Sequence, residues 1–282
     1  MTLQLRKSSR MNSKIRLALT GPSGGGKTYS ALLLARGLCG KWSDIAVLDT
    51  ENGSADLYSA LGDYQVITMN TPMSPEKYIQ AIELCEEAGI KVMIIDSLSH
   101  CWEFLLDVHS NMAGNSFTNW GKITPRQNAL IQRILSSNMH ILATLRTKQD
   151  YVLNQKDGKY VPEKVGLKTI QREGVDYEFT LVFDIDIKHN AVVSKDRTNL
   201  FEGKPAFKIT TQTGEEILQW CNSGDGDAFL ERLNGCQSVK ELIDMFRSNP
   251  QHQQQYKEQF TMRKAEILQE SQLVNGEEVN NG

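Results

Sequence analysis

Residues 21–28 read GPSGGGKT, from Gly21 to Thr28, and this glycine-rich octapeptide decides the fold. It fits the P-loop pattern G-x-x-x-x-G-K-[ST], in which backbone N–H groups converge on an anion. The apolar run 15–20 before it has the composition of a buried strand, and residues 29–38 after it have helical apolar spacing. A flexible glycine linker is the alternative interpretation, but a linker requires neither the strand nor the helix.

The octapeptide predicts a site for a nucleoside triphosphate, ATP, together with Mg²⁺. In this pattern the lysine, Lys27, reaches the β- and γ-phosphates, and the hydroxyl of Thr28 is a ligand of Mg²⁺. The N-terminus of the following helix adds its dipole to the phosphate site. The residues that we predict to bind the nucleotide here are Gly21, Pro22, Ser23, Gly24, Gly25, Gly26, Lys27, Thr28 and Tyr29.

The composition indicates an acidic globular protein. The chain has 282 residues and a formal net charge of -3, so any nucleic-acid site must be local. We expect a cytoplasmic protein without a membrane partner, because no segment is apolar over the length of a bilayer and residues 1–14 lack the apolar core of a signal peptide. The five cysteines form no C-x-x-C pair, which argues against a zinc ribbon and a disulfide framework.

Strand and helix patterns alternate from Ile15 to Arg146, which is typical of βαβ units. They predict an α/β fold of the P-loop NTPase type, with a mainly parallel twisted sheet and helices on both faces. Strand patterns at 178–187, 191–194 and 206–210, with a turn at residues 189–190, predict antiparallel strands at one edge. Residues 147–173 show no periodic pattern, and we expect a loop there.

The sequence predicts four parts of the chain: an N-terminal tail at 1–13, an ATPase core at 14–222, a small helical appendage at 223–270 and a disordered tail at 271–282. The stretch at 222–227 has the Gly- and Asp-rich composition of a linker. In the appendage, Ser238 and Glu241 match a capping box at the start of a helix.

The apolar run VMIID, residues 92–96, ends in the carboxylate of Asp96. This is the form expected of a strand whose aspartate holds Mg²⁺ in a P-loop site. A helix cap is the alternative role. The next residue is Ser97, where many hexameric ATPases of the AAA+ type place a catalytic glutamate, so the base that activates water must come from another strand.

Glu51 is our candidate for this catalytic base. It stands just past the end of the strand at 45–49, where a carboxylate can face the γ-phosphate. A glutamate of a surface loop is the alternative, and Asp49 is a weaker competitor for the catalytic role.

The segment LDTENGSADLY, residues 48–58, resembles RecA-like ATPases, and more narrowly the phage-encoded RecA-like recombination proteins of a short, core-only form. In that family a strand ends in D-x-E, and an aromatic residue seven positions past the glutamate stacks on adenine. Glu51 and Tyr58 stand at this interval, so the resemblance implies that Tyr58 binds the adenine; packing in the core is the open alternative. The resemblance covers residues 14–221 and implies ATP hydrolysis in a bacterial host or phage-infected cell.

Lys195 and Arg197, within SKDRT at 194–198, resemble the K-x-K or K-x-R element that RecA-like ATPases insert into a neighbouring subunit's site. Alternate residues of a strand point to one face, so both side chains, the two basic fingers, can reach the same neighbouring site. The resemblance therefore implies catalytic roles for both residues and a homo-oligomer; an exposed charged strand edge is the alternative. The family's γ-phosphate sensor, usually a glutamine, is replaced in LATLR (142–146) by Thr144 or Arg146, and the choice between them is open.

Residues 146–172 carry seven basic and three acidic residues, with Tyr151 and Tyr160 among them. Such a basic loop with aromatics suits single-stranded DNA, and the family has a DNA-contacting loop here; a solvated hairpin is the alternative. A second loop at 111–121, with Phe117 and Trp120, occupies the family's other DNA-loop position. The leading hypothesis is a DNA-dependent ATPase of phage recombination that anneals or exchanges strands. A replicative helicase or loader, and a KaiC-like nucleotide-switched interaction protein, are the alternatives.

Overall fold

The structure, a computed structural model, describes residues 13–156, 159–254 and 256–277. Most of the predicted N-terminal tail, residues 1–12, and the last five residues, 278–282, therefore lie outside the described part. The chain divides into two compact units, one formed by Lys14–Gln219 and the other containing the chain from Trp220 onward. No helix in the described ranges has the length and apolar character needed to span a membrane.

The first unit contains all eight named strands. These are β1 (Arg16–Gly21), β2 (Ile45–Asp49), β3 (Gln65–Thr68), β4 (Val92–Asp96), β5 (His140–Lys156), β6 (Lys159–Thr169), β7 (Leu181–Ile185) and β8 (Ala191–Asp196). Its helices are α1 (Lys27–Cys39), α2 (Pro75–Glu87), α3 (Ser99–Ser110), α4 (Ser116–Ser136) and the start of α5 (Thr211–Gly235).

The sheet has the strand order β3-β2-β4-β5-β1-β7-β8. All neighbouring pairs along this path are parallel except β7 with β8, which is antiparallel and forms one edge. The strand that leads into the octapeptide, β1, is therefore central, and β5 separates it from β4. The predicted α/β class, with a mainly parallel sheet and an antiparallel edge, is confirmed.

Helices cover both faces of this sheet. A buried cluster joins α2 and α4 to one face through side chains that include Ile82, Leu130 and, from the strands, Ile95 and Ile141. Strand residues alternate between faces, so neighbours such as Ile94 point to the opposite side, where α1 packs against β1, β2, β4 and β5.

The expected loop at 147–173 is wrong for most of its length, because β5 continues to Lys156 and pairs with β6 as an antiparallel arm. The pairing runs from Thr147 opposite Thr169 to Lys156 opposite Lys159. The sequence of these two strands lacks the apolar alternation by which strands are recognised.

Three other boundaries differ from prediction. Helix α4 begins at Ser116, because the side chain of Asn115 accepts a hydrogen bond from the backbone N–H of Phe117 at 2.8 Å. Phe117 and Trp120 thus lie on a helix and not in a loop. The predicted strand at 206–210 is reduced to one bridge between Ala191 and Phe207, and residues 175–178 form a short 3-10 helix where a strand was expected to begin at residue 178.

The second unit is helical and has its own core. It contains the rest of α5 together with α6 (Val239–Arg247) and α7 (Lys257–Glu277), and the residues 222–227, whose composition predicted a linker, lie within α5. The hydroxyl of Ser238 accepts from the N–H of Glu241 at 3.2 Å, as the capping box predicted. Helix α7 extends beyond residue 270, into the stretch predicted to be disordered.

Helices α1 and α5 approach so closely that Gly37 has no room for a side chain. A Cβ atom there would lie 2.1 Å from the carbonyl oxygen of Thr211, a backbone atom that cannot rotate away. We predict that Gly37→Ala lowers the free energy of unfolding by about 1–3 kcal/mol, although alanine favours helices. Gly121→Ala is the matched control, because nothing lies within 4 Å of its Cβ position; it should raise stability by about 0.5–1 kcal/mol. Urea unfolding of both variants tests this, and equal effects would contradict it.

His140 makes stability depend on pH. Its Nδ1 accepts from the N–H of Ile15 at 3.1 Å, and burial, with the charges of Lys14 and Arg16, lowers its pKa to about 3. Below the ordinary histidine pKa of about 6.5 the unfolded chain takes up a proton that the folded chain does not. Stability present above that pH should be lost towards pH 3, at about 1.4 kcal/mol per pH unit.

His140→Asn keeps an acceptor near this N–H and cannot titrate. Urea unfolding between pH 7 and 5 should therefore give a flatter dependence for the variant than for the wild type. A variant whose stability falls as steeply as that of the wild type would show that His140 is not the source.

Candidate nucleotide site

The octapeptide forms the turn between β1 and α1. Gly24 and Gly26 have φ values of 76° and 84°, a left-handed conformation that favours glycine. Lys27 is 8 % exposed, and its Nζ donates to the carbonyl oxygens of Gly21 at 3.0 Å and Pro22 at 2.9 Å. The ammonium group is thus drawn back onto the start of its own loop.

A cavity of about 690 Å³ opens over this loop. It brings together most of the residues that the sequence singled out, from three strands and two helical segments. The titratable and polar groups among its lining residues include Lys27, Thr28, Glu51, Tyr58, Asp96 and Arg146.

Asp96 is the point where the loop, β4 and β5 meet. Its carboxylate is 1 % exposed; Oδ2 accepts from the hydroxyl of Thr28 at 2.6 Å and Oδ1 accepts from the hydroxyl of Thr144. Among the described residues no cluster of three or more His, Cys, Asp or Glu could hold a metal ion. Mg²⁺ in phosphate sites needs only one or two carboxylates with phosphate and water oxygens, so the hard oxygen donors of Thr28 and Asp96 fit this ion.

The two carboxylates after β2 have different surroundings. Asp49 is fully buried, and its two oxygens accept from the N–H groups of Glu51 at 2.7 Å and Ala55 at 3.0 Å. It therefore holds the turn that presents Glu51 and has no free oxygen facing the cavity. Glu51 is partly exposed and lines the cavity, while Ser97, after Asp96, is buried with its hydroxyl on the carbonyl of Thr144.

Two tyrosines form a wall of the same cavity. Tyr58, in the 3-10 helix Ala55–Leu61, and Tyr29, on α1, have ring centroids 5.8 Å apart. Apolar atoms of Leu33 and Ile209 complete this side. Aromatic rings beside aliphatic atoms provide the flat apolar surface that a nucleobase requires.

The turn between β7 and β8 contributes residues that sequence analysis missed. His189, with φ of 63°, places Nδ1 2.9 Å from the carbonyl oxygen of Gly25. A Cβ on Gly26 would lie 2.8 Å from the same nitrogen. Lys208 also lines the cavity and donates to the carbonyl of Lys188. The pair His189-Asn190 predicted a turn, but nothing in the sequence indicates that this turn rests on the loop.

Arg146 is a further cation of the cavity. Its Nε lies 3.5 Å from Oε1 of Glu51, and its Nη1 lies 2.9 Å from Nε2 of His100. The sequence indicated Arg146 as one of two sensor candidates but gave no role to His100. The other candidate, Thr144, is fully buried and bonded to Asp96.

Lys195 and Arg197 lie away from the cavity. Lys195 donates to the carbonyl oxygens of Asp176, at 2.9 Å, and Tyr177, and Arg197 donates to the same Tyr177 oxygen at 3.0 Å. Burial, with the charge of Arg197, lowers the pKa of Lys195. The two cations share one face at the sheet edge, and within a single chain they contact the 3-10 helix Val175–Glu178.

A family model described as an AAA domain matches residues 13–215 of the chain. The matched range includes the octapeptide, both candidate carboxylates Glu51 and Asp96, and the edge residues Lys195 and Arg197. A search of the curated proteins finds no match.

Substitution of Lys27 is the strongest single test of whether ATP binds at this site. Its buried ammonium group faces the loop that would hold the phosphates, and hydrogen bonds to charged groups contribute about 1.5–3 kcal/mol. We predict that Lys27→Met weakens ATP binding about 10- to 100-fold in titration calorimetry. Lys77→Met is the control, because it removes a half-buried lysine of α2 that donates to the carbonyl of Asn70 and does not line the cavity. Unchanged affinity in Lys27→Met would place the nucleotide elsewhere.

Proposed function

The chain belongs to the AAA domain family of P-loop ATPases, and from this premise we propose that it is a RecA-like ATPase that acts on single-stranded DNA. In this proposal it hydrolyses ATP with Mg²⁺ and serves phage recombination by annealing or strand exchange in the cytoplasm of the infected cell. The observation that supports DNA binding is a groove in which one exposed aromatic ring, that of Phe117, and two half-buried tryptophans lie beside basic side chains.

Each candidate residue has one role in the proposed reaction. Lys27 neutralises the phosphates, Thr28 and Asp96 hold Mg²⁺, and Glu51 accepts a proton from the attacking water. Bound Mg²⁺ supplies positive charge to the phosphate oxygens. Tyr58 stacks on the adenine. Lys195 and Arg197 act in the site of a neighbouring subunit, which requires a homo-oligomer in which their contacts to Tyr177 are exchanged for phosphate contacts.

The aromatic groove, lined by Trp102, Phe117, Trp120, Lys168 and Arg172 among others, supports the DNA proposal. Its volume is about 960 Å³, and Phe117 is 87 % exposed. Trp102 and Trp120 stack with centroids 5.9 Å apart. An exposed ring beside cations suits a single strand, since a ring can stack on a base of any sequence and cations follow the phosphates.

The groove draws together three regions that are separate in sequence: Trp102 on α3, the start of α4 and the base of the β5–β6 arm. The arm leaves the nucleotide cavity at Arg146, whose carbonyl accepts from the N–H of Ile170 at 2.7 Å. Lys168 lies opposite Lys148 in this arm. The hydrogen bond from Ile170 to Arg146 links the strand that leaves the cavity to the chain segment that carries Lys168 to the groove, and it offers a route by which DNA in the groove could stimulate hydrolysis.

A nucleotide-switched interaction protein of KaiC-like kind is the second candidate. The separate helical unit from Trp220 onward, with an aromatic core that includes Phe229, Phe246 and Tyr256, supports it as a module for a protein partner.

A helicase or loader shares the ATP site and the basic fingers, and unwinding of a forked duplex distinguishes it from an annealing protein.

The test is steady-state ATP hydrolysis with and without a single-stranded oligonucleotide. We expect stimulation by DNA, and Phe117→Ala should raise the DNA concentration for half-maximal stimulation about 10-fold, because one stacked base contributes about 1–3 kcal/mol. Leu84→Ala, an exposed apolar residue of α2, is the matched control. Glu51→Gln should abolish hydrolysis, which assigns the measured activity to this site. Hydrolysis at equal rates with and without DNA would contradict the DNA proposal and favour the interaction protein.

A further inference from the structure

His189, in the turn between β7 and β8, packs its imidazole ring against the glycine-rich loop. Nδ1 lies 2.9 Å from the carbonyl oxygen of Gly25, and the ring atoms Cγ and Cε1 lie 3.5 and 3.6 Å from the position that a Cβ of Gly26 would take. The residue is nonetheless exposed, and it lines the nucleotide cavity together with Gly24 and Gly26. One edge of the ring is therefore engaged by the loop, and the rest can meet a ligand.

The contact with Gly25 defines which ring nitrogen is free. A carbonyl oxygen can only accept, so Nδ1 of His189 must carry the proton that it donates to Gly25. Within the described residues Nε2 has no hydrogen-bond partner. In the neutral ring Nε2 is an acceptor, and protonation makes it a second donor. An anion beside this nitrogen therefore favours the protonated ring.

The turn holds His189 in this position. The carboxylate of Asp186 accepts from the backbone N–H groups of Lys188 and Asn190, both at 2.8 Å, and from the side-chain amide of Asn190 at 3.0 Å. The hydrogen bonds from Asn190 are the main cause of the lowered pKa of Asp186. The N–H of His189 donates to the carbonyl of Asp186 at 2.9 Å. The ring is thus placed on the loop by its own turn as well as by Gly25.

The carboxylates near this ring are engaged elsewhere. Asp96 accepts from two threonine hydroxyls, Glu51 lies 3.5 Å from a guanidinium nitrogen, and Asp186 holds the turn. Among the described residues none of them forms an ion pair or a hydrogen bond with the ring of His189. A phosphate in the cavity is therefore the anion that the free nitrogen can meet. The charged groups of the cavity and of this turn are Lys27 on α1, Glu51 after β2, Asp96 on β4, Arg146 on β5, Asp186 and Lys188 in the turn, and Lys208 after β8.

We propose that His189 is a phosphate-binding residue of the nucleotide site, in which Nε2 of the imidazolium donates to a phosphate oxygen while Nδ1 stays on Gly25. This inference rests on the proposed ATPase function and adds to its site a cation from the antiparallel edge of the sheet. A histidine in water is mostly neutral above its ordinary pKa of about 6.5. The proton on Nε2 is therefore taken up from the solvent when the nucleotide binds at neutral pH.

The first test is equilibrium binding of a non-hydrolysable ATP analogue with Mg²⁺ to His189→Asn. Asparagine tolerates the left-handed backbone and can offer an N–H to Gly25, but it has no group at the position of Nε2 and does not titrate. The variant should bind about 10-fold more weakly, because it loses a hydrogen bond to a charged group. Lys188→Gln is the matched control, since it removes a positive charge from the same turn but its side chain does not line the cavity; it should keep the wild-type affinity.

The second test counts protons, which separates phosphate binding from mere support of the loop. Titration calorimetry near neutral pH, in buffers with different enthalpies of ionisation, gives the number of protons taken up when the analogue binds. The wild type and Lys188→Gln should take up more protons than His189→Asn, by at most about one. A His189→Asn variant with the wild-type affinity, or with a weaker affinity and the wild-type proton count, would overturn the inference.

These results also separate the inference from the proposed function. If the wild type hydrolyses ATP and His189→Asn keeps the wild-type proton count, the ATPase proposal stands and the inference falls. If the wild type neither binds nor hydrolyses ATP, both fall.

Discussion

One buried carboxylate organises the site. Asp96, at the end of β4, accepts hydroxyl hydrogen bonds from Thr28 on α1 and from Thr144 on β5. A carboxylate without hydrogen-bond partners is costly to bury, so these two donors lower the cost of burying Asp96. The same bonds fix the start of α1 against two strands of the central sheet, and this sets where a phosphate and a metal ion can sit relative to β2 and β5.

At the carboxyl edge of the sheet, polar side chains that are close in sequence have different surroundings: some hold the backbone in place and others face the cavity. Asp49 and Glu51 are two residues apart, yet each oxygen of Asp49 accepts from a backbone N–H group, whereas Glu51 faces the cavity. Thr144 and Arg146 show the same division on β5, where the first points into the core and the second to the cavity rim. In each pair a buried residue orients the segment, and the residue two positions later contacts the solvent side.

The sequence predicts the fold class and most of the cavity because both rest on local patterns. The octapeptide, Asp96 and Glu51 each stand at or just past the carboxyl end of a strand, and parallel strands bring these ends to one edge. His100, His189 and Lys208 were missed, since their roles arise from contacts between distant segments. The sequence predicts a loop in place of the β5–β6 arm, because residues 147–173 show no apolar alternation. The start of α4, which includes Phe117, was missed because it is set by a single capping side chain, that of Asn115.

The contact between His189 and the phosphate-binding loop has an evolutionary consequence. Gly26 has a left-handed backbone, and the imidazole fills the space where its Cβ would stand. A larger residue at position 26 must therefore tolerate that backbone and also meet a smaller side chain at position 189. These two positions, 163 residues apart along the chain, are coupled in size, so relatives that vary at one should show compensating variation at the other.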